Sequence, residues 1–425
     1  MEEVKNLPPV NKWKKILDFA LFIGKRLLQN GAEIHRVEET VEFICKAYGC
    51  KYIDVYAIPN MIEATVEAED DYYTTKVKRI RSIGTNLYNV EKLNRISRRV
   101  CVEKPPVEEL DEIIKDFIAN QEPEHKWLMY VGAFLAIFGF TLFFGGTWRD
   151  ALAASLTSLV MAVFLFTNHK VINKTLDTLI VSLIGGFVSA LLCKIHIGEH
   201  ISSVMIGSIM IVIPGMALST SFKDIMMDDL LSGSLRLMQT IMTALIIAIG
   251  YSAAAVVFRN DIEVIVPDIP AWAFILEGVL GSFGFALIFN NNYKHLITIP
   301  IGAAIVTATY WLLDYLDQNI VLCTMVPAAV GIFYAEFAAR FHKAPSICFL
   351  TPITLVLAPG YSLYYTMYSF WKISESGNQF TDYLLRTFNQ SFGIGAGIIV
   401  GMVIVKVSLY IIYKVIRFEK TKPGF

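Results

Sequence analysis

The chain has 425 residues, of which 55% are hydrophobic and 18% are charged. Its formal net charge of −1 argues against nucleic-acid binding, because proteins that bind nucleic acids neutralise phosphates with an excess of lysine and arginine. The six cysteines have neither a disulfide nor a zinc spacing, so no metal site and no cofactor is expected.

Residues 1–125, which carry most of the charged clusters, are predicted to form a cytoplasmic α+β domain. The predicted elements are helices at Asn11–Asn30 and Glu33–Tyr48, strands at Tyr52–Ile58 and Ala64–Ala68, a long basic helix over Thr74–Val100 and an acidic helix at Val107–Asn120. The sequence of this domain contains no Ser-His-Asp arrangement, phosphate-binding loop or metal-ligand cluster, and it therefore does not predict an enzyme.

The rest of the chain predicts an α-helical polytopic membrane protein, because a transmembrane helix needs about 20 mostly apolar residues and such runs recur. The ten predicted spans lie at 127–146, 150–167, 175–194, 201–220, 236–257, 271–290, 296–313, 320–339, 346–368 and 391–414. With residues 1–125 in the cytoplasm, the connections on the inner side hold more lysine and arginine than those on the outer side. This bias predicts a multi-pass protein with both termini in the cytoplasm.

Two landmarks recur in the sequence at one spacing. The heptapeptide Phe138–Phe144 returns at Phe283–Phe289 (283 − 138 = 145), and the pair Pro214-Gly215 returns at Pro359-Gly360 (359 − 214 = 145). A fixed long offset indicates a duplicated unit. The predicted repeats are 126–258 and 271–415. Each holds five predicted helices, an odd number, so the repeats are predicted to be inverted; chance similarity between apolar helices is the alternative.

Each repeat carries its Pro-Gly pair inside the fourth predicted helix. Proline removes a backbone donor and glycine adds backbone freedom, so the pair favours a broken helix. Broken helices at matching positions of inverted repeats point to a substrate site near the bilayer midplane. The residues expected to bind substrate are Pro214, Gly215 and Ser219 in the first repeat and Pro359, Gly360 and Ser362 in the second. The alternatives are packing kinks and, for the serines, hydrogen bonds back to their own helix.

Ionisable side chains are rare within the apolar runs. A carboxylate at membrane depth costs about 2.5–3.5 kcal/mol on insertion scales, so its presence suggests a role. Glu277 and Glu336 are therefore candidates for a proton relay, although Glu336 can equally pair with Arg340 one turn later. Asp224 and Asp228 are expected on one helical face as an entry vestibule or proton site, with a solvated loop as the alternative.

The order of the motifs along the chain resembles the threonine/serine exporter family. In the N-terminal part the resemblance rests on Leu28–Thr40 (LQNGAEIHRVEET), followed by an apolar helix and Gly49. In the membrane part it rests on Val212–Gly215, followed by Asp224, Gly233 and Arg236, and on Ala271–Val405 with its second Pro-Gly pair. Two modules that are separate polypeptides in some family members are joined here on one chain.

The resemblance implies an inner-membrane exporter of small polar metabolites, such as threonine and serine or a dicarboxylate, driven by the proton gradient. By the same resemblance, the motif positions of the N-terminal module are Gly31, Glu33, Arg36 and Glu38. The charged members are interpreted locally as helix-terminus charges that pair with the basic helix, and Arg236 joins the gating candidates. The competing hypotheses are a membrane-anchored hydrolase acting through the N-terminal domain and a metabolite sensor or scaffold. The chain is also compatible with a homo-oligomer.

Overall fold

The computed structural model describes residues 9–67, 73–120, 126–166, 174–258, 269–371 and 373–420. The chain divides into two compact units. The first comprises residues 1–125 together with two short later segments, 289–292 and 343–348, and the second comprises the remaining residues. The domain boundary predicted after residue 125 adjoins residues 121–125, which lie outside the described residues.

The first unit combines helices with one small sheet. Its elements in chain order are α1 (Pro9–Gln29), α2 (Ile34–Ala47), β1 (Tyr52–Ile58), β2 (Met61–Glu67), β3 (Tyr73–Arg79), α3 (Leu87–Glu103) and α4 (Leu110–Ala119). The strands are antiparallel in the order β1-β2-β3, with Tyr52 opposite Glu67 and Met61 opposite Arg79. The apolar faces of α1 and α2 form a buried core with the inward side chains of β2, such as Ile62.

Most of the predicted elements of this region are confirmed within a few residues. The predicted helices at Asn11–Asn30, Glu33–Tyr48 and Val107–Asn120 correspond to α1, α2 and α4. The predicted strands at Tyr52–Ile58 and Ala64–Ala68 correspond to β1 and β2, with Ala68 outside the described residues.

The prediction of one long helix over Thr74–Val100 is wrong. Strand β3 occupies Tyr73–Arg79, and α3 begins only at Leu87, where the side chain of Asn86 accepts a hydrogen bond from the backbone N–H of Asn89 at 3.0 Å. Side chains of β3 alternate between exposed and half-buried, a period of two that is typical of a strand. The basic residues obscure this period, because lysine and arginine suit an exposed edge strand as well as a helix.

The second unit is helical. The helices that follow α4 in the chain are α5 (Lys126–Phe143), α6 (Trp148–Phe166), α7 (Lys174–Lys194), α8 (Ile201–Ile209), α9 (Gly215–Met226), α10 (Leu230–Phe258), α11 (Ala271–Ile288), α12 (Thr298–Tyr315), α13 (Ile320–His342), α14 (Ile347–Thr354), α15 (Gly360–Trp371) and α16 (Ile373–Lys420). Among the described residues, seven helices are long and apolar enough to cross a membrane, or eight if the bent pair Ile347–Leu357 and Gly360–Phe370 counts as one span. The chain is thus a polytopic helical membrane protein.

Two of the ten predicted spans are not among these helices. The segment predicted at 201–220 consists of the short helices α8 and α9, and the segment predicted at 296–313 corresponds to α12. The crossing of the membrane by these two segments stays a prediction.

Helices α5 and α11 lie in close contact and run antiparallel. A Cβ added to Gly132 would be 2.6 Å from the carbonyl oxygen of Gly284, and one added to Gly139 would be 2.8 Å from that of Glu277. Only glycine permits such an approach of two backbones. The contact is reciprocal under the 145-residue offset, since residue 284 is the equivalent of 139 (284 − 145) and residue 277 is the equivalent of 132 (277 − 145).

The recurring heptapeptide supplies the aromatic packing around this contact. Phe140 and Phe285 are equivalent residues (285 − 140 = 145), and their rings meet edge to face with centroids 5.7 Å apart. The rings of Phe143 and Phe274 lie 4.2 Å apart. The heptapeptide therefore has a packing role at the contact between the two helices.

Candidate functional site

The two Pro-Gly breaks lie against each other in the second unit. Helix α8 ends at Ile209 and α9 begins at Gly215; α14 and a short 3₁₀ turn end at Leu357, and α15 begins at Gly360 with a bend of 52°. A Cβ added to Gly215 would be 3.1 Å from the Cβ of Ala358. The structure thus joins two sequence-predicted breaks that are far apart in the chain.

The second glycine is packed as closely as the first. A Cβ added to Gly360 would overlap the sulfur of Met210, the residue that follows α8. Thr354, at the end of α14, approaches the sulfur of Met216 within 3.8 Å. Pro359 and Gly360 are buried, whereas Pro214 is half-buried. Each break therefore contacts residues on both sides of the other break.

Two helices begin at this contact. Pro214 precedes the first turn of α9, and Pro359 precedes the first turn of α15. The first N–H groups of a helix lack partners within the helix, and the helix dipole adds partial positive charge there. The meeting of two helix N-termini can therefore stabilise an anionic group, such as a carboxylate.

The two predicted serines are fully buried and bond back to their own helices. The hydroxyl of Ser219 donates to the carbonyl oxygen of Gly215 at 3.3 Å, and that of Ser362 donates to the carbonyl oxygen of Pro359 at 3.3 Å. Oγ of Ser362 also lies 2.5 Å from Oε1 of the buried Gln390, so its one hydroxyl hydrogen is shared between the two acceptors. The back-bonding alternative is thus the observed arrangement, and Ser362 in addition ties α15 to α16.

A buried polar cluster beside the first break was not predicted. The hydroxyl of Ser208 in α8 lies 3.1 Å from that of Ser189 and 3.0 Å from that of Tyr251. Tyr251 also borders a cavity of about 20 Å³, shared with Met205 and Tyr364, which is large enough for one water-sized group. A tyrosine inside the apolar run of α10 was the available sequence signal.

A buried group of charges lies at the far end of α9. A carboxylate oxygen of Asp224 is 3.5 Å from Nη1 of Arg236 and another is 4.0 Å from the ammonium of Lys223, whose side chain is only 2% exposed. Arg236 also donates to the hydroxyl of Thr220 at 3.2 Å. These contacts tie α9 to α10 through charges held out of water.

The prediction that Asp224 and Asp228 share one helical face is wrong. Helix α9 ends at Met226, and Asp228 is exposed in the left-handed region with a φ of 67°. Gly233 allows α10 to return closely along α9, since a Cβ there would be 2.6 Å from Ile225. The tight reversal between the two helices ends α9 before Asp228 is reached.

The two intramembrane glutamates have different surroundings. Oε2 of Glu336 is 3.1 Å from Nη1 of Arg340, so the predicted pairing one turn later is present. In α11, Oε2 of Glu277 is buried and has no hydrogen-bond partner among the residues that the structure describes. A buried polar atom without a partner costs about 1–3 kcal/mol, and a group held at such a cost is a candidate for a functional role.

The N-terminal motif forms the junction between α1 and α2. Gly31 adopts a φ of +93°, which glycine takes without strain. Glu33 precedes α2 and lies 3.9 Å from Nε of Arg36. Oε1 of Glu38 accepts a hydrogen bond from the backbone N–H of Ala57 in β1 at 2.7 Å. The charged motif residues thus pair with each other and with strand β1.

One group of side chains in the second unit has the composition of a metal site. Ligand atoms of Asp150, Glu199 and His200 lie within 4.8 Å of one another. Asp150 is fully buried and accepts hydrogen bonds from the backbone N–H groups of Glu199 and His200 at 2.7 and 2.8 Å, and from the hydroxyl of Thr147 at 3.0 Å. With its oxygens occupied by these donors, Asp150 is better explained as the residue that ties the start of α8 to the start of α6.

A larger cavity of about 720 Å³ lies where α6 begins and α7 and α10 end. It is lined by basic, acidic and apolar side chains, including Arg149, Lys194, Glu199 and Phe258. Arg149 is paired with Glu199 at 2.8 Å, and the ammonium of Lys194 lies 5.7 Å from the ring centroid of Phe258. The cations and the acid in its wall thus already have partners within the protein.

Comparisons with known proteins match these features to one family. Residues 18–258 match the family model described as "Putative threonine/serine exporter", and residues 275–404 match the model described as "Threonine/Serine exporter, ThrE". The chain belongs to the threonine/serine exporter family. The resemblance that the motifs indicated is thereby confirmed, and both parts of the family are joined on one chain.

Relatives of the family are distant in sequence. The "Probable threonine/serine exporter" of Mycobacterium tuberculosis is 19% identical, covering 91% of this chain and 76% of the relative. The "Threonine/serine exporter" of Corynebacterium glutamicum is 22% identical, covering 83% and 75%. "Pheromone-regulated membrane protein 10" of Debaryomyces hansenii is 23% identical over 56% of this chain and 24% of the relative. No solved structure matches the chain.

Proposed function

We propose that the protein is a proton-coupled secondary transporter that exports threonine, serine or a similarly small polar metabolite, with a dicarboxylate as the alternative substrate class. The observation that carries this proposal is the contact between the two Pro-Gly breaks, where two helices begin side by side in an apolar unit. Membership of an exporter family supports the direction of transport, and the names of two relatives support the substrate class.

The proposed architecture is a pair of inverted five-helix repeats, at 126–258 and 271–415, after an N-terminal domain of residues 1–125. The reciprocal antiparallel contact of α5 with α11 supports this arrangement, because a two-fold axis in the membrane plane produces such contacts between equivalent helices. In this proposal α8–α9, α12 and α14–α15 complete ten crossings of the cell (inner) membrane, and both termini are cytoplasmic.

Substrate recognition is assigned to the meeting point of α9 and α15. The carboxylate of an amino acid would be held by first-turn N–H groups of these helices, after Pro214-Gly215 and Pro359-Gly360. The N–H of Gly360 donates here to the carbonyl oxygen of Ala358 at 2.7 Å and would have to exchange that bond. The hydroxyls of Ser219 and Ser362 lie one turn further in and can exchange their bonds within the helix for bonds to a polar side chain. Since the breaks are in contact here, binding requires them to separate.

The charges at the end of α9 are proposed to act as a gate. Arg236 pairs with Asp224 and also reaches Thr220, so α9 and α10 are locked together while these contacts last. Asp228 is exposed beside the gate and is proposed as an entry charge. Opening the gate would release α9, and with it the first break.

Proton coupling is assigned to Glu277. Its carboxylate is the intramembrane acid with an oxygen that is buried and lacks a partner among the described residues, and an acid in that setting can take up and release a proton as its surroundings change. Glu336 remains a candidate of the same kind, but its carboxylate is paired with Arg340.

The proposal is tested with the purified protein in proteoliposomes loaded with radiolabelled L-threonine or L-serine. Export should accelerate when a pH gradient is imposed and should fall to the passive rate when a protonophore collapses that gradient. Glu277→Gln should retain exchange of labelled for unlabelled substrate but lose its response to the gradient. Glu336→Gln is measured in parallel: it should retain both properties if coupling rests on Glu277, and loss of its gradient response instead would assign the coupling to Glu336.

Other outcomes would redirect the assignment. Flux that ignores the pH gradient in the wild type would exclude proton coupling, and flux of a dicarboxylate instead of threonine would change the substrate class. Binding of L-threonine without any flux would favour the sensor hypothesis. Turnover of an amide or ester substrate by the purified protein would favour the hydrolase hypothesis instead, which the sequence of the N-terminal domain, without a Ser-His-Asp arrangement, does not predict.

A further inference from the structure

The first unit contains two short segments that come from much later in the chain. These are Phe289–Asn292 and Lys343–Cys348, referred to below as the docked segments. The first directly follows the last residue of α11, and the second runs into the first turn of α14. Each docked segment is therefore joined directly to an element to which transport is assigned. The first is joined to α11, which carries Glu277, and the second to α14, which precedes the second break.

The N-terminus of α3 holds the first docked segment through its backbone. The N–H groups of Leu87 and Tyr88 donate to the carbonyl oxygens of Phe289 and Asn290 at 2.9 and 3.0 Å. These N–H groups lie in the first turn of α3, where a helix supplies no partner of its own. The capping residue Asn86 also accepts a hydrogen bond from the side-chain amide of Asn290 at 3.3 Å.

A buried carboxylate fixes the end of the same segment. Glu91 in α3 is 6% exposed, and its Oε2 accepts a hydrogen bond from Nδ2 of Asn292 at 3.0 Å. Its Oε1 pairs with Arg95 at 2.8 Å. Asn292 is itself 6% exposed, so this is a charge-assisted bond in a protected setting, where a lost partner leaves an unsatisfied buried group.

The second docked segment is held by the N-terminal motif and by the first docked segment. Arg36, the motif arginine beside Glu33, donates to the hydroxyl of the buried Ser346 at 3.3 Å. The side-chain amide of Asn291 donates to the carbonyl oxygen of Cys348 at 2.6 Å. Ile347 packs against the apolar core of the unit. The two docked segments are thus fixed to each other as well as to the helices.

We propose that Arg36, Glu91 and Asn292 are positioning residues for transport. By fixing the docked segments they hold the residues that directly follow α11 and those that lead into α14, and so restrain the chain connections of these two helices during the transport cycle. This inference rests on the proposed transport function. It gives Arg36 of the N-terminal motif a structural role in transport, without any catalysis or ligand binding by the N-terminal domain.

The test compares variants of the full-length protein in proteoliposomes with L-threonine as the probe. Glu91→Ala and Asn292→Asp should lower the maximal export rate about tenfold, with little change in KM, because they disturb the conformational step rather than the binding groups. The double variant Glu91→Gln with Asn292→Asp should recover most of the rate, since an amide again faces a carboxylate with the roles exchanged. The matched control is Glu103→Ala, which removes an exposed carboxylate that pairs with Arg99 on the same helix.

Cys348 gives a second readout that does not depend on flux. Its side chain is fully buried, with the thiol 3.7 Å from the carbonyl oxygen of Leu87. Labelling by N-ethylmaleimide, followed at this cysteine by peptide mass spectrometry, should be slow in the wild type and in Glu103→Ala. It should be faster in Glu91→Ala and Asn292→Asp, and slow again in the double variant.

The two hypotheses fail in distinguishable ways. A wild type that moves no L-threonine contradicts the proposed function. A wild type that is active, together with a Glu91→Ala variant that is equally active although Cys348 is labelled faster, overturns the positioning role. A loss of flux that the double variant does not recover, without faster labelling of Cys348, overturns it as well.

Discussion

A methyl group at position 215 would press directly on the contact between the two breaks. A Cβ built on Gly215 lies 3.1 Å from the Cβ of Ala358 and 3.6 Å from Cδ of Pro359. The first distance is shorter than the roughly 3.5–4.0 Å at which two carbon atoms attract each other best. Because the Cβ of Ala358 is attached directly to the backbone, it cannot rotate away. Gly215→Ala therefore has to move one of the breaks by a few tenths of an ångström.

The size of the effect follows from the cost of overpacking. An extra methyl group in a packed interior typically costs about 1–3 kcal/mol, and alanine regains at most about 1 kcal/mol over glycine within a helix. The cost falls on the conformation in which the breaks touch. A shift of 1–3 kcal/mol in a two-state equilibrium is roughly 5- to 150-fold, so we expect Gly215→Ala to slow export of L-threonine about tenfold. Leucine at either position 215 or 360 should abolish flux.

The assay is export from proteoliposomes, with insertion and folding checked by thermal unfolding in detergent. The double variant Gly215→Ala with Ala358→Gly removes the opposing Cβ and should recover most of the rate. Gly84→Ala is the control for a glycine replacement as such, because the nearest atom to its added Cβ is the carbonyl oxygen of Gln29, at 3.8 Å. Its export rate should match that of the wild type.

Two results would refute this reasoning. One is full activity of Gly215→Ala, which would mean that the contact between the breaks is irrelevant to the transport cycle. The other is an equal loss in the double variant, which would mean that the loss arises from the backbone at Gly215 and not from its contact with Ala358.

Two further predictions concern stability. Arg236→Ala should lower the thermal unfolding temperature in detergent, because it removes one partner of a largely buried ion pair. The loss of one partner costs up to about 3–5 kcal/mol in a fully buried pair, and less here because the Arg236 side chain is 25% exposed. An unchanged unfolding temperature would show that Lys223 alone satisfies Asp224. Ser219→Ala should change the free energy of unfolding by about 0.5 kcal/mol or less, whereas Ser362→Ala should lower it by about 1–3 kcal/mol because Oε1 of Gln390 loses its donor. Thermal unfolding of both variants measures the difference, and equal losses of stability would contradict the prediction.

The sequence alone was sufficient to predict the two helix breaks and the helical membrane class of the fold. Proline followed by glycine inside an apolar run ends a helix for local reasons, and the structure ends α8 and the 3₁₀ turn after α14 just before the two pairs. Apolar run length likewise located seven of the spans. These predictions succeeded because each depends on a few adjacent residues or on the length of a single apolar run.

Features that depend on contacts between distant residues could not be predicted. The sequence indicated one shared site for the two breaks through their common offset, but not that Gly215 would approach Ala358, 143 residues away (358 − 215). The position of Asp228 depends on how closely α10 returns along α9, which Gly233 decides from outside α9. The partner of Glu91 from outside its own helix, Asn292, lies in a loop that follows α11, so the burial of Glu91 could not be predicted from the charged helix in which it occurs.

The second unit contains two contacts between its halves, the α5–α11 contact and the contact of the breaks, and they differ in symmetry. The contact of α5 with α11 is reciprocal under the 145-residue offset, but the contact of the breaks is not: Gly215 faces Ala358, the equivalent of Ile213 (358 − 145 = 213), whereas Gly360 faces Met210. In the proposed transporter, two repeats in unlike local arrangements are what alternating access requires, since the repeats would exchange arrangements when the site opens to the other side. Close contacts between glycine backbones leave α5 and α11 little freedom to slide. They are therefore expected to serve as the fixed axis, and the breaks as the place where the conformation changes.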